Sequence, residues 1–365
     1  MELSKYCKYT TSRIDPASLN VDNYISTENM MQNKGGVTAA SKVPTEKAVE
    51  YKPGDILISN IRPYFKKIWL ADRSGGCSSD VLCIRALKGT DSVYLYYLLS
   101  QDSFFDYVMS GSKGSKMPRG DKSQIMKWDV DLPGIDEQRR IGQALKIIDD
   151  KIAINNRINH NLEEQADCLI SSAIETQSIG SVHLWDICSY VTERVNCDTL
   201  NNENYISTDN MFANRGGVGI ASTIPVGRCT SFKARDVLIS NIRPYFKKIW
   251  RASFSGGCSN DVLCFRTTTG TSSFLYHLLR SDVFFEYVMS GAKGSKMPRG
   301  DKQHILNWVI PAFEKEIIAS LEGSLEVIDD RVAIIQEENR RLSAIRDSLL
   351  PLLMNNGIRF IDLTC

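Results

Sequence analysis

The sequence predicts an α/β (α+β) protein: two pseudo-symmetric mixed α/β domains separated by a long antiparallel two-helix coiled coil. Three observations predict it. The chain contains itself twice, strand-and-helix patterning opens each copy, and an apolar heptad closes each copy. Residues 57–69 (LISNIRPYFKKIW) return letter for letter as residues 238–250, and residues 113–122 (KGSKMPRGDK) return as residues 293–302. The copies align at an offset of 181 from Leu3/Leu184 to Arg85/Arg266. After one deletion the offset is 180 from Tyr107/Tyr287 to Asp150/Asp330. So long a period marks a duplicated domain rather than a solenoid repeat of roughly 20–50 residues. The implied layout is a first domain over 1–135, a central long helix over 136–176, a second domain over 177–313, a C-terminal long helix over 314–355 and a tail over 356–365.

Within the first copy, short β-rich runs bounded by turn formers predict strands at 23–27, 53–59 and 80–85, with Pro53-Gly54 as a turn. Residues 92–109 carry Leu95, Leu98, Leu99, Phe105 and Val108 at helical spacing, which predicts one amphipathic helix. Further on, Ile141, Leu145, Ile148, Ile152, Asn155, Asn159, Leu162, Ala166 and Leu169 alternate at spacings of four and three. Leu321, Leu325, Ile328, Val332, Ile335, Asn339, Leu342, Arg346 and Leu349 match them. That is an a/d seam. A helix of about 35–40 residues is about 55–60 Å long and needs a partner for its stripe, and the other copy supplies one. Asn159 and Asn339 hold equivalent seam positions, where a buried polar pair fixes register. Asp136, after Pro133-Gly134, is the expected N-cap, and Pro351 and Gly357 mark the far end of the second helix. Residues 358–363 are expected to return as a strand onto the first domain.

Composition narrows the class. Of 365 residues, 42% are hydrophobic, as in ordinary globular proteins. No apolar run approaches the roughly 18 residues a membrane span needs. Ten cysteines with no apolar secretory core at the N-terminus point to a reducing cytoplasm. The net charge of +1 gives no global support for nucleic-acid binding, so that reading must rest on local patches.

An enzyme would need a site, and no Walker P-loop, GxGxxG or Asn/Asp-Pro-Pro-Tyr motif is present. His160, His183, His277 and His304 are scattered, and His277 and His304 face Tyr97 and Gln124 in the other copy. Cys77 and Cys83 recur as Cys258 and Cys264, but without the CxxC spacing of a zinc site, and read as small core residues. No metal is expected.

The repeated loops are the chemistry-bearing segments. Between residues 141–170 and 321–350 only 10 of 30 positions match, whereas all 23 positions of the two repeated segments match. The helices kept a pattern and the loops kept specific residues. Those residues suit DNA: Lys and Arg neutralise phosphates, Ser, Asn and backbone amides bond phosphate oxygens, and Arg, Lys and Asn pair with base edges. The candidate DNA-binding residues are Asn60, Arg62, Tyr64, Lys66, Lys67, Lys113, Ser115, Lys116, Arg119 and Lys122. Their second copies are Asn241, Arg243, Tyr245, Lys247, Lys248, Lys293, Ser295, Lys296, Arg299 and Lys302.

The order and duplication of Gly54-Asp-Ile-Leu-Ile-Ser-Asn60, Tyr94-Leu-Tyr-Tyr-Leu-Leu99, Leu132-Pro-Gly-Ile-Asp-Glu-Gln138 and Ile148-Asp-Asp-Lys-Ile152 resemble the specificity subunit of Type I restriction-modification systems. The resemblance covers essentially the whole chain. Two departures are Pro133-Gly134 in place of Pro-Pro, and a second helix start (Ile310-Pro-Ala-Phe-Glu-Lys-Glu316) without Glu-Gln. The resemblance implies that each mixed domain is a target recognition domain reading one half of a bipartite, gapped DNA site. It implies a helix pair that sets the gap, and two docked methyltransferase subunits that carry S-adenosylmethionine. A restriction subunit is a further partner in such systems, and this chain would itself bind no cofactor and catalyse nothing. Because the reading loops are identical, the target is expected to be an inverted repeat. The rival reading is a stand-alone regulator that binds an inverted repeat without partners.

Overall fold

A computed structural model describes residues 1–114 and 116–354. It divides into two compact units. The first comprises residues 1–154 with the chain from 339 onward, and the second comprises residues 155–338. Ser115 and the tail over 356–365, with its expected strand and Gly357, lie outside the described residues.

In the first unit, strands Cys7–Tyr9, Val81–Ala86, Ile56–Ser59 and Ile68–Leu70 form one antiparallel sheet in that spatial order. Arg13–Ile14, Ala48–Tyr51, Gly75–Cys77 and Tyr24–Ile25 form a second sheet, whose last pair is parallel. Strand Ile56–Ser59 is buried along its length because its alternate residues feed two cores. Ile56 and Ile58 pack with Tyr94, Leu98, Phe104 and Phe105, while Leu57 packs with Tyr51, Trp69, Cys77 and Cys83. Those two cysteines are free buried thiols, as expected of small core residues. Gly75 is fixed by close packing: a Cβ there would lie 2.0 Å from the Asn23 carbonyl oxygen. The buried carboxylate of Asp55 holds Arg85 by two hydrogen bonds of 2.7 and 2.6 Å.

The second unit repeats both sheets, with Cys188–Tyr190, Val262–Thr267, Val237–Ser240 and Ile249–Arg251 in one. Arg194–Asn196, Arg228–Phe232, Gly256–Cys258 and Tyr205–Ile206 form the other. Asp236 and Arg266 repeat the bidentate pair at 2.8 and 2.7 Å. Gly180–His183, which leads into this domain, pairs with Val309–Ala312.

The single helix expected over 92–109 is two, Ser92–Leu99 and Asp102–Ser110. Gln101 between them is extended (φ −67°, ψ 149°). The break re-aims the second helix, so that Phe104, Phe105 and Val108 join Leu95 and Leu98 in one core.

The long helices are Ile135–Gln177 and Lys315–Met354. In the first unit Ile141 and Leu145 pack with Leu350, Leu353 and Met354. Farther along the first helix Asp149 meets Arg346, which precedes Leu350 on the second, so the segments run antiparallel. In the second unit Ala166, Ile170 and Ala173 pack with Leu321 and Leu325. Three details correct the sequence reading. Asp136 is not the cap: the amides of Glu137 and Gln138 bond to the Gly134 carbonyl, and Asp136 lies in the first turn. Pro351 lies inside the second helix, one turn before its end at Met354, and forfeits one amide bond. Leu169 is exposed while Ile170 and Ala173 are buried. The strict heptad lapses there because a straight helix of 3.6 residues per turn drifts against a 3.5-residue repeat. Asn159 is buried in the second unit and Asn339 half-buried in the first. Buried Asn155 donates to Glu338 at 2.7 Å within the second unit.

Candidate nucleic-acid interface

The two repeated segments, some fifty residues apart in each copy, meet. After strand Ile56–Ser59 the chain enters a single turn, Pro63–Phe65, flanked by Arg62 (φ 50°) and Lys66 (φ 50°), both left-handed. Non-glycine residues held there carry local strain, of order 1–3 kcal/mol each, and such strain gathers at functional sites. Arg243 (φ 51°) and Lys247 (φ 50°) repeat it. The amide of Arg62 donates to the Pro118 carbonyl at 2.8 Å, Ile61 bridges Arg119, and Arg119 exchanges two 3.0 Å backbone bonds with Lys113. The second unit has the same contacts: Arg243 to Pro298 at 2.8 Å, Ile242 with Arg299, and Arg299 with Lys293 at 2.9 Å. Gly120 permits the junction, since a Cβ there would stand 2.9 Å from Asn60 Oδ1 and 2.8 Å from Val108.

The candidate cations divide by partner. Arg119 is 56% exposed, with one guanidinium edge held by Asp80 at 3.1 Å; Arg299 and Asp261 repeat this at 3.1 Å. Lys116, Lys122, Lys296 and Lys302 are exposed, and Lys302 lies 5.7 Å from the Tyr190 ring centroid. Lys113 and Lys293 are exposed and meet Asp121 and Asp301 at 3.2 and 2.7 Å. Ser123, the backbone amides of the following turn and Lys113 hold the Asp121 carboxyl far below the usual carboxylate range. Lys293 and the helix amides hold Asp301 at about 2. Tyr64 and Tyr245 are exposed, as are Met117 and Met297. Ser295 is exposed.

Three candidates turn inward instead. Lys67 is half-buried and donates to the Thr27 carbonyl at 2.7 Å, and Lys248 donates to Thr208 at 2.6 Å. Lys66 and Lys247 pair with Asp102 and Asp282, each at 2.8 Å. Asn60 is buried beneath Gly120, and its Oδ1 and that of Asn241 have no hydrogen-bond partner among the described residues, like Nε of Arg62 and Arg243. Lys66, Lys67, Asn60 and their counterparts shape the loop rather than face outward.

Sequence reasoning missed a third loop. The amides of Asn33 and Lys34, both left-handed, bond to the carbonyls of Phe65 and Lys66 at 2.9 Å. Asn214 and Arg215 do the same to Phe246 and Lys247 at 2.8 and 2.9 Å. The signal was the repeated Asn-Lys/Arg-Gly-Gly-Val, too short to stand out beside the longer identities. A cleft of about 310 Å³ adjoins this loop in the first unit, walled by Thr27, Thr38, Lys42 and Asp80. Asp80 thus joins the cleft to Arg119.

A family model described as Type I restriction modification DNA specificity domain matches residues 4–164, and the second half repeats that region's loops and sheets. Residues 4–164 thus carry a Type I restriction modification DNA specificity domain. Along 93% of its length the chain is 21% identical to the Type I restriction enzyme MjaVIII specificity subunit of Methanocaldococcus jannaschii, of which it covers 87%. A stretch of 131 aligned residues, 35% of the chain, is 27% identical to the EcoDI specificity subunit of Escherichia coli and covers 27% of it. The crystal structure of a Type I restriction-modification S subunit from M. genitalium has the same fold. It gives a TM-score of 0.59 at 14% identity, over 97% of this chain and 95% of that one. No helix among the described residues is long and apolar enough to cross a membrane.

Proposed function

We propose that the chain is the specificity subunit of a Type I restriction-modification system and reads a gapped inverted repeat in double-stranded DNA, one half-site per domain. The carrying observation is the geometric identity of the two loop junctions. The Arg62–Pro118 and Arg243–Pro298 bonds agree, as do the Arg119–Asp80 and Arg299–Asp261 pairs. Like surfaces select like base edges. Arg119 and Arg299 present a guanidinium already oriented by a carboxylate, the arrangement that gives bidentate readout of guanine. Exposed Lys116, Lys122 and their counterparts contact phosphate, and Tyr64 and Met117 supply apolar contact.

The long helices set the gap and seat two methyltransferase subunits, on which S-adenosylmethionine resides. Ile147 and Ile154 are exposed a heptad apart on the first helix, and Val327 and Ile334 repeat them on the second. Those residues form the proposed docking stripe. Catalysis belongs to the partners. The test is duplex binding by the chain with and without its methyltransferase partner. The expected result is that an inverted repeat outcompetes a scrambled duplex and that the partner raises affinity. Tight, specific binding unchanged by the partner would favour a stand-alone regulator.

A further inference from the structure

The same acid on each long helix is neutralised from opposite directions in the two units. In the first, Asp149 accepts from Tyr97 at 2.6 Å and from Arg346, on the returning end of the second helix, at 2.8 Å. In the second, the equivalent Asp329 meets His277 at 2.9 Å and Arg251 at 3.6 Å, both from the domain. The returning end of the first helix carries Ala166 where the other has Arg346. Its Asp167 and Glu163 bind Arg280 at 2.7 and 3.0 Å, whereas the second helix keeps the first acid as Asp347, paired with its own Arg346, and has Ser343 in place of the second. Arg280 is 5% exposed, and the first domain has Ser100 in its place. One socket is acidic and receives a basic helix end; the other is basic and receives an acidic end.

We infer that this polarity keys each domain to one helix end, so that neither socket accepts the end belonging to the other. In the basic socket, the 339–354 segment would bring Arg346 beside Arg251 and Arg280, with Ser343 replacing Glu163 and only Asp347, which already pairs with Arg346, to answer the three guanidinium groups. In the acidic socket, the 155–177 segment would bring Glu163 and Asp167 toward Asp149 with no arginine at residue 100. A half-buried charge left facing a like charge or no partner is strongly disfavoured. A second copy of this chain can therefore exchange only the matching helix end. Paired like halves, two first domains with two first helices, are excluded. This goes beyond DNA reading, since it concerns which segments close each domain.

Hydrogen exchange on the full chain tests it. Exchanging residues 340–350 for the sequence of residues 160–170 offers both sockets the acidic end. Backbone amides of 339–354 should then exchange about tenfold faster or more, while 155–177 stays protected as before. Adding Ser100→Arg should restore protection. Because Ser100 is buried and an arginine there can itself disrupt the domain, Arg346→Ala alone is the second variant, and it should loosen the same segment selectively. Parental protection in both the exchanged chain and Arg346→Ala, or uniform loosening of both helix ends, would overturn the keying.

Discussion

The guanidinium of Arg119 stands 3.1 Å from the carboxylate of Asp80, and the distance between Arg299 and Asp261 in the second domain is the same. Each arginine is more than half exposed, so the pair is weak as a stability element and strong as an orienting one. Arg119→Ala should therefore cost about 1–3 kcal/mol of discrimination at one base pair of its half-site. Arg299→Ala should cost the same at the symmetric base pair. Fluorescence anisotropy on specific and scrambled duplexes separates the cases, and equal losses on both would assign the arginine to phosphate.

Asp80→Asn keeps the shape but removes the charge that restrains Arg119. Non-specific binding should strengthen and its salt dependence steepen, because one more phosphate is neutralised. Discrimination should fall as the guanidinium loses its fixed orientation. A salt titration on scrambled DNA measures the first effect, and an unchanged slope would count against the pair's role.

The loop anchor at Asp282 titrates in an acid window. Lys247, then Arg215, lower its carboxyl from 3.8 to about 2. A depressed acid stabilises the fold above its ordinary value, and that contribution is lost as pH falls through the folded value. The anchor should be constant from pH 5 to 8 and decay between about pH 4 and 2. A carboxyl-carbon NMR titration of Asp282 should give the low midpoint, and Lys247→Ala should raise it.

Thiol reactivity should follow burial. Among the described cysteines only Cys168 is exposed; burial pushes the thiols of Cys7 and Cys188 up to about 12. A thiolate-selective reagent near pH 8 should label Cys168 quickly in the folded chain, with Cys77, Cys83, Cys258 and Cys264 reacting only on unfolding. Peptide mapping after brief labelling reads this directly.

The docking stripe predicts a separation of functions. Ile147→Glu or Val327→Glu replaces an exposed apolar side chain and should leave the fold and DNA contacts intact while weakening methyltransferase association by about tenfold or more. Gel filtration of the mixed proteins checks the loss.

The architecture was legible because duplication and the heptad are signals of long range. Identical segments mark two domains before any strand is assigned, and the seam from Ile141 to Ala166 needs a partner helix. What escaped depends on geometry. Nothing in residues 92–109 shows that the helix breaks at Gln101, because both halves keep an apolar stripe. Lys67 and Arg119 are both cations in loops, yet one anchors a carbonyl and the other faces outward. The partners that decide this, Thr27 and Asp80, come from distant strands. The Asn33-Lys34 turn was visible as a repeat, but its place against Phe65 and Lys66 required the fold. His277 and Gln124 show a repeat keeping a bond while changing the residue. His277 meets Asp329 as Tyr97 meets Asp149, and His304 and Gln124 both reach the carbonyl of the equivalent tyrosine.

The central claim is that the two domains read the same half-site on opposite strands. Co-expression with the partner methyltransferase, followed by genome-wide sequencing of methylated adenines, tests it most directly. A single gapped inverted-repeat motif is the predicted result. Two unrelated half-sequences flanking the gap would contradict it.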